Sequence, residues 1–182
     1  MIHRGVETNR PAEILELDVE AYRAAIPGLS ELTLDVVRGG ASVNFLADLT
    51  TAEAAAWWEA RLGSVADGTT TAYVASSGGQ IVGSVLLIRA TQPNAPHRAE
   101  IAKVLVHRDA RRRGVGRDLM LAAERRARAD GRWLLILDTV TGSPADRFYR
   151  SLGWQAAGEI PNFALEPDGR IVSTTYFWKD LR

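Results

Sequence analysis

Apolar residues recur at helical spacing through the first third of the chain. The spacing predicts three helices, over residues 11–25, 30–38 and 51–62. Pro11 begins the first of them, Gly39 follows the second, and Thr51 is the predicted N-cap of the third. A short strand is also predicted near Val6. This part of the chain is therefore expected to cover a sheet that later residues supply.

Strand-like patterns dominate from residue 71 onward. The strands are predicted over residues 71–76, 80–88, 100–107 and 133–139. Ser77-Gly78-Gly79 separates the first two and predicts a tight β-hairpin. An amphipathic helix is predicted over 115–130, and the apolar strand after it is expected to be covered on both faces. Strand, helix and strand in this order predict a right-handed βαβ unit with parallel strands.

The last part of the chain continues the alternation of helices and strands. A helix is predicted over 143–152, because Ser143-Pro144 suits a helix start and Gly153 a helix end. Residues 154–165 and 171–179 form a predicted hairpin around Pro167-Asp168-Gly169. The pattern has no internal repeat or linker. We therefore predict a single domain over residues 1–182, of mixed α/β class.

Composition narrows the class of protein. A length of 182 residues suits one domain, and 46% hydrophobic with 24% charged residues is ordinary for a soluble globular protein. No apolar stretch approaches the ~18 residues of a membrane helix, and the first residues lack the apolar run of a signal peptide. The chain has no cysteine, which removes disulfides, thiolate nucleophiles and sulfur-ligated zinc. We therefore expect a cytoplasmic location and no membrane partner.

Charge is balanced overall but uneven along the chain. The formal net charge is zero, so no global field favours nucleic acid or an anionic membrane as a partner. Between Arg108 and Arg128, however, eight arginines stand against three acidic residues. A basic patch of this kind in a neutral protein indicates a small anionic ligand. The histidines, aspartates and glutamates show no spacing that suggests a metal site.

The basic patch contains a loop that joins the predicted strand 100–107 to the predicted helix 115–130. The loop reads Arg111-Arg112-Arg113-Gly114-Val115-Gly116, and Arg117 follows it. Glycines let a backbone approach a ligand closely, and the first amides of a helix have no partner within the helix. A phosphate or pyrophosphate satisfies those amides at the positive end of the helix dipole. An isolated loop of this composition also suits a solvated basic turn, but its place between a strand and a helix favours an anion site.

Two other phosphate-binding loops use the same physics. A dinucleotide-binding fingerprint needs a small residue at position 119, where this chain has Leu119, although Asp138 lies where a ribose-binding acid is expected. A P-loop needs a lysine and then a serine or threonine after its glycines, and none follows here. Neither alternative is favoured.

Three ordered segments resemble one protein family. Arg111, Gly114 and Gly116 match a signature of Arg or Gln, two residues, Gly, one residue, then Gly or Ala. The strand AEIAKVLV (99–106) precedes it, and FYRSLGW (148–154) follows. These segments resemble the GNAT superfamily of N-acetyltransferases. The resemblance implies a central twisted mixed β-sheet, flanked by helices and splayed between strands 4 and 5. It also implies acetyl-CoA as cosubstrate, with its pantetheine arm in that gap.

The resemblance assigns cofactor contacts to particular residues. They are Val104, Leu105, Val106, Arg111, Arg112, Arg113, Gly114, Val115, Gly116 and Arg117. The first three offer backbone groups to the pantetheine arm, and the amides of the last five hold the pyrophosphate. One side chain among Arg108, Arg111 and Arg112 reaches the 3′-phosphate. Where many family members have an asparagine that contacts the cofactor, this chain has Gly142, so that contact is not carried over.

Transfer from a thioester to an amine is helped by a base and an acid. Glu100 is one candidate base, because it occupies the position of the base glutamate in the histone-acetylating branch of the family. It is also compatible with a strand residue that faces solvent. Asp138 ends an apolar strand and is a second candidate, with binding of the substrate ammonium and capping of a turn as its alternatives. Tyr149 matches the family's general acid toward the CoA sulfur, and its alternative is core packing beside Phe148.

The acceptor is expected to be an amine of a small molecule. Segments at 39–49, 138–149 and 167–170 resemble a branch of the family that acts on a small toxin. The first helices and the predicted 154–178 hairpin are expected to form the acceptor surface. The side chains offered by this hairpin region are Trp154, Glu159, Phe163, Glu166 and Asp168. A non-catalytic acyl-CoA-binding module and a nucleic-acid binder are the alternatives, and zero net charge disfavours the second. A homodimer is the oligomeric state considered for the chain.

Overall fold

The computed structural model describes residues 11–182, so the strand predicted near Val6 lies outside the described residues. The elements in chain order are β1 (Glu13–Leu17), α1 (Val19–Arg38), α2 (Thr51–Glu59), α3 (Leu62–Ala66), β2 (Thr70–Ser77), β3 (Gln80–Arg89), β4 (Arg98–Val106), α4 (Val115–Ala129), β5 (Leu134–Val140), α5 (Pro144–Ser151), β6 (Gln155–Leu165) and β7 (Ile171–Asp180). A short 3₁₀ turn, Arg108–Ala110, precedes α4. Over this part of the chain, the helices are too short or too polar to cross a membrane.

The seven strands of residues 11–182 form one mixed sheet in the order β1-β2-β3-β4-β5-β7-β6. Neighbouring strands are antiparallel except β4 and β5, which are parallel and are joined through α4. The sequence-based predictions of a mixed sheet and of a βαβ unit are therefore confirmed. The predicted hairpin between β2 and β3 is confirmed too, because Ser77 pairs with Gln80 around Gly78 and Gly79, whose φ angles are 59° and 80°.

Helices cover both faces of this sheet. On one face, which we call the α4–α5 face, Leu119 of α4 packs with the fully buried Leu135 of β5. On the other, the α1–α2 face, Trp58 of α2 packs with Tyr22 of α1 and with Leu105 of β4. Successive strand residues point to opposite faces, so the side chains of each strand divide between the two cores.

The predicted helix over 11–25 is wrong at its start. Its first residues form β1, which pairs with β2, and this sheet pairing overrides the local helical spacing. The helix begins only after Asp18, whose carboxylate accepts a hydrogen bond from the Ala21 amide at 2.8 Å. It then continues through Pro27, so the helices predicted over 11–25 and 30–38 are one helix, α1.

The third predicted helix is confirmed with a different start and end. Its N-cap is Thr50 rather than Thr51, because Thr50 and Glu53 form a reciprocal capping box. The helix ends at Glu59, and the separate short helix α3 follows.

The prediction that the fifth strand is covered on both faces is also wrong. Leu135 and Leu137 are buried on the α4–α5 face, but Asp138 is exposed. The α1–α2 face of β5 borders a cavity, which leaves Asp138 accessible.

Candidate active site

β4 and β5 pair only at one end. The paired residues are Arg98, Ala99 and Glu100 of β4 with Leu134, Leu135 and Ile136 of β5. Beyond Glu100, no strand of residues 11–182 pairs with the β5-facing edge of β4, which extends to Val106. The two strands therefore splay apart, and the backbone of Val104, Leu105 and Val106 lies along the splayed part of β4.

A cavity of about 460 Å³ lies at this splay. Its lining includes Glu100, Lys103, Val104, Val106, Arg111, Asp138, Tyr149, Phe163 and Glu166, together with residues 39–44. Residues 39–50, the α1–α2 loop, are held against the β6–β7 hairpin by hydrogen bonds from Ser42 Oγ to the Leu165 carbonyl (3.4 Å) and from the Ala47 amide to the Pro167 carbonyl (3.3 Å). The α1–α2 loop therefore forms one wall of the cavity, and Tyr149 of α5 contributes to the wall on the opposite side of the sheet.

The N-terminus of α4 opens beside β4 without a capping side chain. Gly114 is the N-cap residue, with a left-handed φ of 86°, and it supplies no side-chain hydrogen bond to the first turn. The first-turn amides of Val115, Gly116 and Arg117 therefore lack a side-chain cap at the positive end of the helix dipole. This is an arrangement that fits a pyrophosphate.

Gly116 also has a packing role. A Cβ added at this residue would lie 3.3 Å from Phe148 Cζ of α5 and 3.5 Å from Val106 Cγ2. Val115, in contrast, is buried in the core of the α4–α5 face. The second glycine of the signature therefore lets α5 and β4 approach the start of α4.

The arginines of the loop do not all face the splay. Arg111 lines the cavity, and its Nε donates to the Val106 carbonyl at 3.2 Å. Arg112 and Arg117 are exposed, and Arg112 has a left-handed φ of 61°. Arg113 borders a different cavity, between α1 and the β2–β3 turn. Arg108 is engaged elsewhere, because its Nε lies 2.5 Å from Asp35 of α1.

Glu100 lies at the last residue pair before the strands separate. Its pair partner on β5 is Ile136, and Asp138 is two residues further on, so both carboxylates belong to the α1–α2 face. Glu100 is exposed at the cavity wall, yet partial burial of its carboxyl raises its pKa above the usual value, and repulsion by Asp138 adds to the rise. The structure therefore brings these two predicted residues together.

Asp138 is held by a neighbour that the sequence did not indicate. Its Oδ2 accepts a hydrogen bond from Thr174 Oγ1 of β7 at 2.9 Å. Tyr176 is the residue opposite Asp138 on β7. Partial burial raises the pKa of Tyr176, and the negative charges of Asp138 and Glu100 raise it further. Tyr176 also packs edge-on against Phe163, with ring centroids 6.0 Å apart. The sequence does not indicate these β7 residues, because the spacing of residues along the chain does not determine which residues of β7 lie opposite Asp138 on β5.

Tyr149 reaches the cavity from α5, on the α4–α5 face. Its ring is buried among Phe148, Trp154 and Phe177, which agrees with the packing role considered from the sequence. Its hydroxyl has no hydrogen-bond partner within residues 11–182, although the residue lines the cavity. Burial raises the pKa of Tyr149 well above its usual value, and Asp138 adds to the effect. The phenol therefore stays protonated at neutral pH.

Lys103 is a cavity residue that the sequence reasoning passed over, although a lysine within AEIAKVLV was a visible signal. It sits at a bulge in β4, where the β3 register shifts and φ is 49°. Its ammonium donates to the Val43 carbonyl at 2.7 Å and lies 4.5 Å from the centre of the Trp57 ring. The two adjacent tryptophans of α2 therefore have different environments: Trp58 is buried in the core, and Trp57 faces this lysine.

Of the five hairpin-region residues expected at the acceptor surface, the structure places two in the cavity. Phe163 and Glu166 line it. Trp154 does not, because it is buried on the α4–α5 face beside Tyr149, and Glu159 and Asp168 also lie outside the lining. Residues 11–182 contain no group of three or more histidine, aspartate or glutamate side chains suited to a metal ion.

The chain belongs to the acetyltransferase (GNAT) family, since residues 41–154 match the sequence profile of that family. The mixed sheet, the splay and the flanking helices described above are the fold of this family. Acetyl-CoA is accordingly its cosubstrate.

Solved structures with the same fold cover almost the whole chain. A putative acetyltransferase from Salmonella typhimurium, yncA, solved with its cofactor acetyl-CoA, is 21% identical, with a TM-score of 0.74 and 95% of each chain covered. A ribosomal-protein-alanine N-acetyltransferase from Brucella melitensis is 25% identical, with a TM-score of 0.71, and 93% of this chain and 99% of that one are covered. An N-acetyltransferase from Kribbella flavida is 22% identical, with a TM-score of 0.74, and 94% of this chain and 98% of that one are covered.

Proposed function

We propose that this acetyltransferase moves the acetyl group of acetyl-CoA to an amine nitrogen of a small molecule, by direct attack in a ternary complex. The observation that carries the proposal is the cavity at the splay of β4 and β5. A candidate acid, Tyr149, belongs to one face of the sheet, and two candidate bases, Glu100 and Asp138, belong to the other. A cofactor bound in the gap would therefore meet an acceptor that enters from the α1–α2 face.

The residues at the splay suit acetyl-CoA, which supplies an activated thioester when bound. The first-turn amides of α4, those of Val115, Gly116 and Arg117, receive no side-chain cap from Gly114 and offer donors to a pyrophosphate, and the amides of Arg113 and Gly114 are proposed to join them. Backbone groups of Val104, Leu105 and Val106 lie along the splayed part of β4 and offer partners to an amide-bearing arm. Arg111 is the loop arginine that lines the cavity, and with Arg112 it supplies positive charge for phosphate groups.

Glu100 is proposed as the base. An alkyl ammonium with a pKa of roughly 10 is only about 0.1% neutral at pH 7, so the amine must lose a proton in the site before it attacks, and a base there gives this proton a path to solvent. The raised pKa of Glu100 makes it a better proton acceptor than an ordinary exposed glutamate. Asp138, which is accessible and anchored by Thr174, is proposed to attract the ammonium group before its proton is removed.

Tyr149 is proposed as the acid. As the new C–N bond forms and the C–S bond breaks, the departing thiolate needs a proton, and the Tyr149 hydroxyl is the buried donor at the cavity wall. Conversion of the ammonium to an amide releases two protons from nitrogen. Glu100 takes the first and passes it to solvent before the attack, and it takes the second as the C–N bond forms. The protein returns to its starting state when Glu100 releases that second proton and Tyr149 regains one from solvent.

Two observations support a small acceptor: the similarity of three sequence segments to known enzymes, and the limited room in the cavity. The segments at 39–49, 138–149 and 167–170 resemble tabtoxin-resistance acetyltransferases, which act on a small molecule. The α1–α2 loop and the β6–β7 hairpin close over the cavity, which leaves room for a small ligand beside the pantetheine arm. We also propose that residues 1–182 form a single N-acetyltransferase domain in the cytoplasm, without a nucleic-acid or membrane partner.

The alternative function is a GNAT-like module that binds or senses acyl-CoA without turnover. A thiol-release assay with acetyl-CoA and a panel of small amines separates the two. We expect release of CoA thiol that depends on one class of amine, with the acetylated amine found by mass spectrometry. Binding of acetyl-CoA without amine-dependent release across the panel would favour the sensing module instead.

A further inference from the structure

The two lysines of the chain have opposite environments. Lys179 forms an ion pair at 2.7 Å with the buried carboxylate of Glu124. Lys103 has no carboxylate within ion-pair distance among residues 11–182, and its one hydrogen bond there goes to the neutral Val43 carbonyl. An ammonium has three donors, and a mostly buried one is costly unless a counter-ion or further acceptors satisfy it.

The surroundings of Lys103 offset this cost only in part. Its Nζ lies over the rings of Trp57 (4.5 Å) and Phe45 (5.2 Å), and the Arg61 guanidinium also lies over Trp57, at 3.1 Å from its centre. Burial, followed by repulsion from Arg61, lowers the pKa of Lys103 to about 8, while Asp138 opposes the shift. The ring faces stabilise a cation only in part, so the site favours a negatively charged partner.

Lys103 and the carboxylates occupy different parts of one cavity. Glu100 and Lys103 are three residues apart on β4, and because a bulge lies at Lys103 their backbones are at most about 10 Å apart at ~3.3 Å per strand residue. The cavity therefore has a negative region at Glu100 and Asp138 and a positive region at Lys103. The φ angle of Lys103, 49°, is left-handed, and this conformation costs backbone energy. Such strained conformations cluster at sites where a side chain must point in a particular direction.

We propose that the acceptor carries a carboxylate as well as its amine, and that Lys103 is the residue that binds this carboxylate. The inference rests on the proposed acetyl transfer and narrows its acceptor class to amino acids and other amines with an acid group. Glu100 and Asp138 attract the amine end, and Lys103 receives the acid end as its missing counter-ion. Binding of both ends of the acceptor determines which of its nitrogen atoms faces the gap between β4 and β5.

Lys103 also has a structural contact, because it holds the α1–α2 loop through Val43. Three variants separate this role from binding. Lys103→Gln keeps an N–H donor for the Val43 carbonyl and removes the charge, whereas Lys103→Arg keeps the charge. Lys103→Met removes both. A purely structural residue would change stability and kcat without changing the choice between acceptors.

The test uses matched pairs of amines in the thiol-release assay. Each pair is an α- or ω-amino acid with the amine that lacks only its carboxylate, for example lysine with cadaverine, or 4-aminobutanoate with propylamine. For the best pair we expect the wild-type kcat/KM to favour the acid by at least tenfold. Lys103→Gln and Lys103→Met should reduce the preference to near unity through KM, and Lys103→Arg should keep most of it. Equal use of both members by the wild type, or a preference that survives Lys103→Gln, would overturn the inference.

A second readout does not require acetyl transfer. Because the chain has only two lysines, ¹³Cε-lysine NMR gives two side-chain signals, and the Lys103→Arg spectrum assigns them. With CoA present, added N-acetyl-amino acids should raise the titration midpoint of Lys103, whereas their uncharged amides should not, and Lys179 should not respond. An unchanged Lys103 midpoint contradicts the inference even if amines are acetylated. Absence of thiol release with every amine contradicts the proposed function instead, and the NMR titration still decides whether Lys103 binds a carboxylate.

Discussion

Gly116 of the arginine-glycine loop (residues 111–116) and Phe148 of α5 lie so close that a Cβ on the glycine would be 3.3 Å from Phe148 Cζ. The contact joins two segments of the family resemblance, the arginine-glycine loop and FYRSLGW, which are far apart in sequence. It also links the start of α4 to the helix that carries Tyr149.

The first prediction follows from this contact. Gly116→Ala should destabilise the protein by about 1–3 kcal/mol, because the added methyl overpacks against Phe148 and Val106. Gly63→Ala is the control, since that helical glycine has open space around its Cβ position and should be neutral or stabilising by up to ~1 kcal/mol. Chemical denaturation measures both. Equal stability of the two variants would show that the Gly116 contact carries no constraint.

The second prediction concerns the base. If Glu100 accepts the amine proton, kcat/KM should rise with pH through a limb whose midpoint lies above the ordinary glutamate pKa, because partial burial and Asp138 raise it. The rate is lost below that midpoint, where Glu100 is protonated. Glu100→Gln should remove this limb.

Asp138→Asn provides the comparison in the same experiment. It removes a negative neighbour, so the Glu100 limb should persist and move to lower pH, while the KM for the amine rises. If the limb disappears in Asp138→Asn and survives in Glu100→Gln, the two roles are reversed.

The third prediction concerns the acid. Tyr149→Phe should lower kcat by roughly 100-fold, because the departing thiolate loses its proton donor. Its effect on stability should be small, since the hydroxyl has no hydrogen-bond partner within residues 11–182 and the ring packing is kept. Stopped-flow thiol release and thermal denaturation measure the two effects. An unchanged kcat would leave Tyr149 with a packing role only.

Elements with strong local signals could be predicted from the sequence. The β2–β3 hairpin has two consecutive glycines at its turn, and α4 has a clear apolar stripe before Gly131, so both were recognised. The loop at Gly114 could be predicted to be an anion site because its composition and its position after a strand both favour one. The mixed sheet followed from the order of these elements.

Features that depend on distant contacts could not be predicted. β1 has helical spacing, and only its pairing with β2 makes it a strand. The role of Lys103 depends on a bulge in β4 and on Trp57 from another helix, and neither is encoded locally. The expectation that Trp154 belongs to the acceptor surface is wrong for a related reason: this residue precedes the hairpin, and its contact with Tyr149 of α5 holds it in the opposite core.

The central claim is that the N-terminus of α4 holds the pyrophosphate of acetyl-CoA, and binding of CoA to two glycine variants tests it most directly. Gly114 and Gly131 lie at opposite ends of α4, and both have positive φ, 86° and 70°, so glutamate introduces backbone strain at either site. Only Gly114→Glu places a carboxylate at the uncapped amides. Calorimetry should show CoA affinity at least tenfold weaker for Gly114→Glu, about 1.4 kcal/mol, and near wild type for Gly131→Glu. Equal affinity in the two variants would contradict the account.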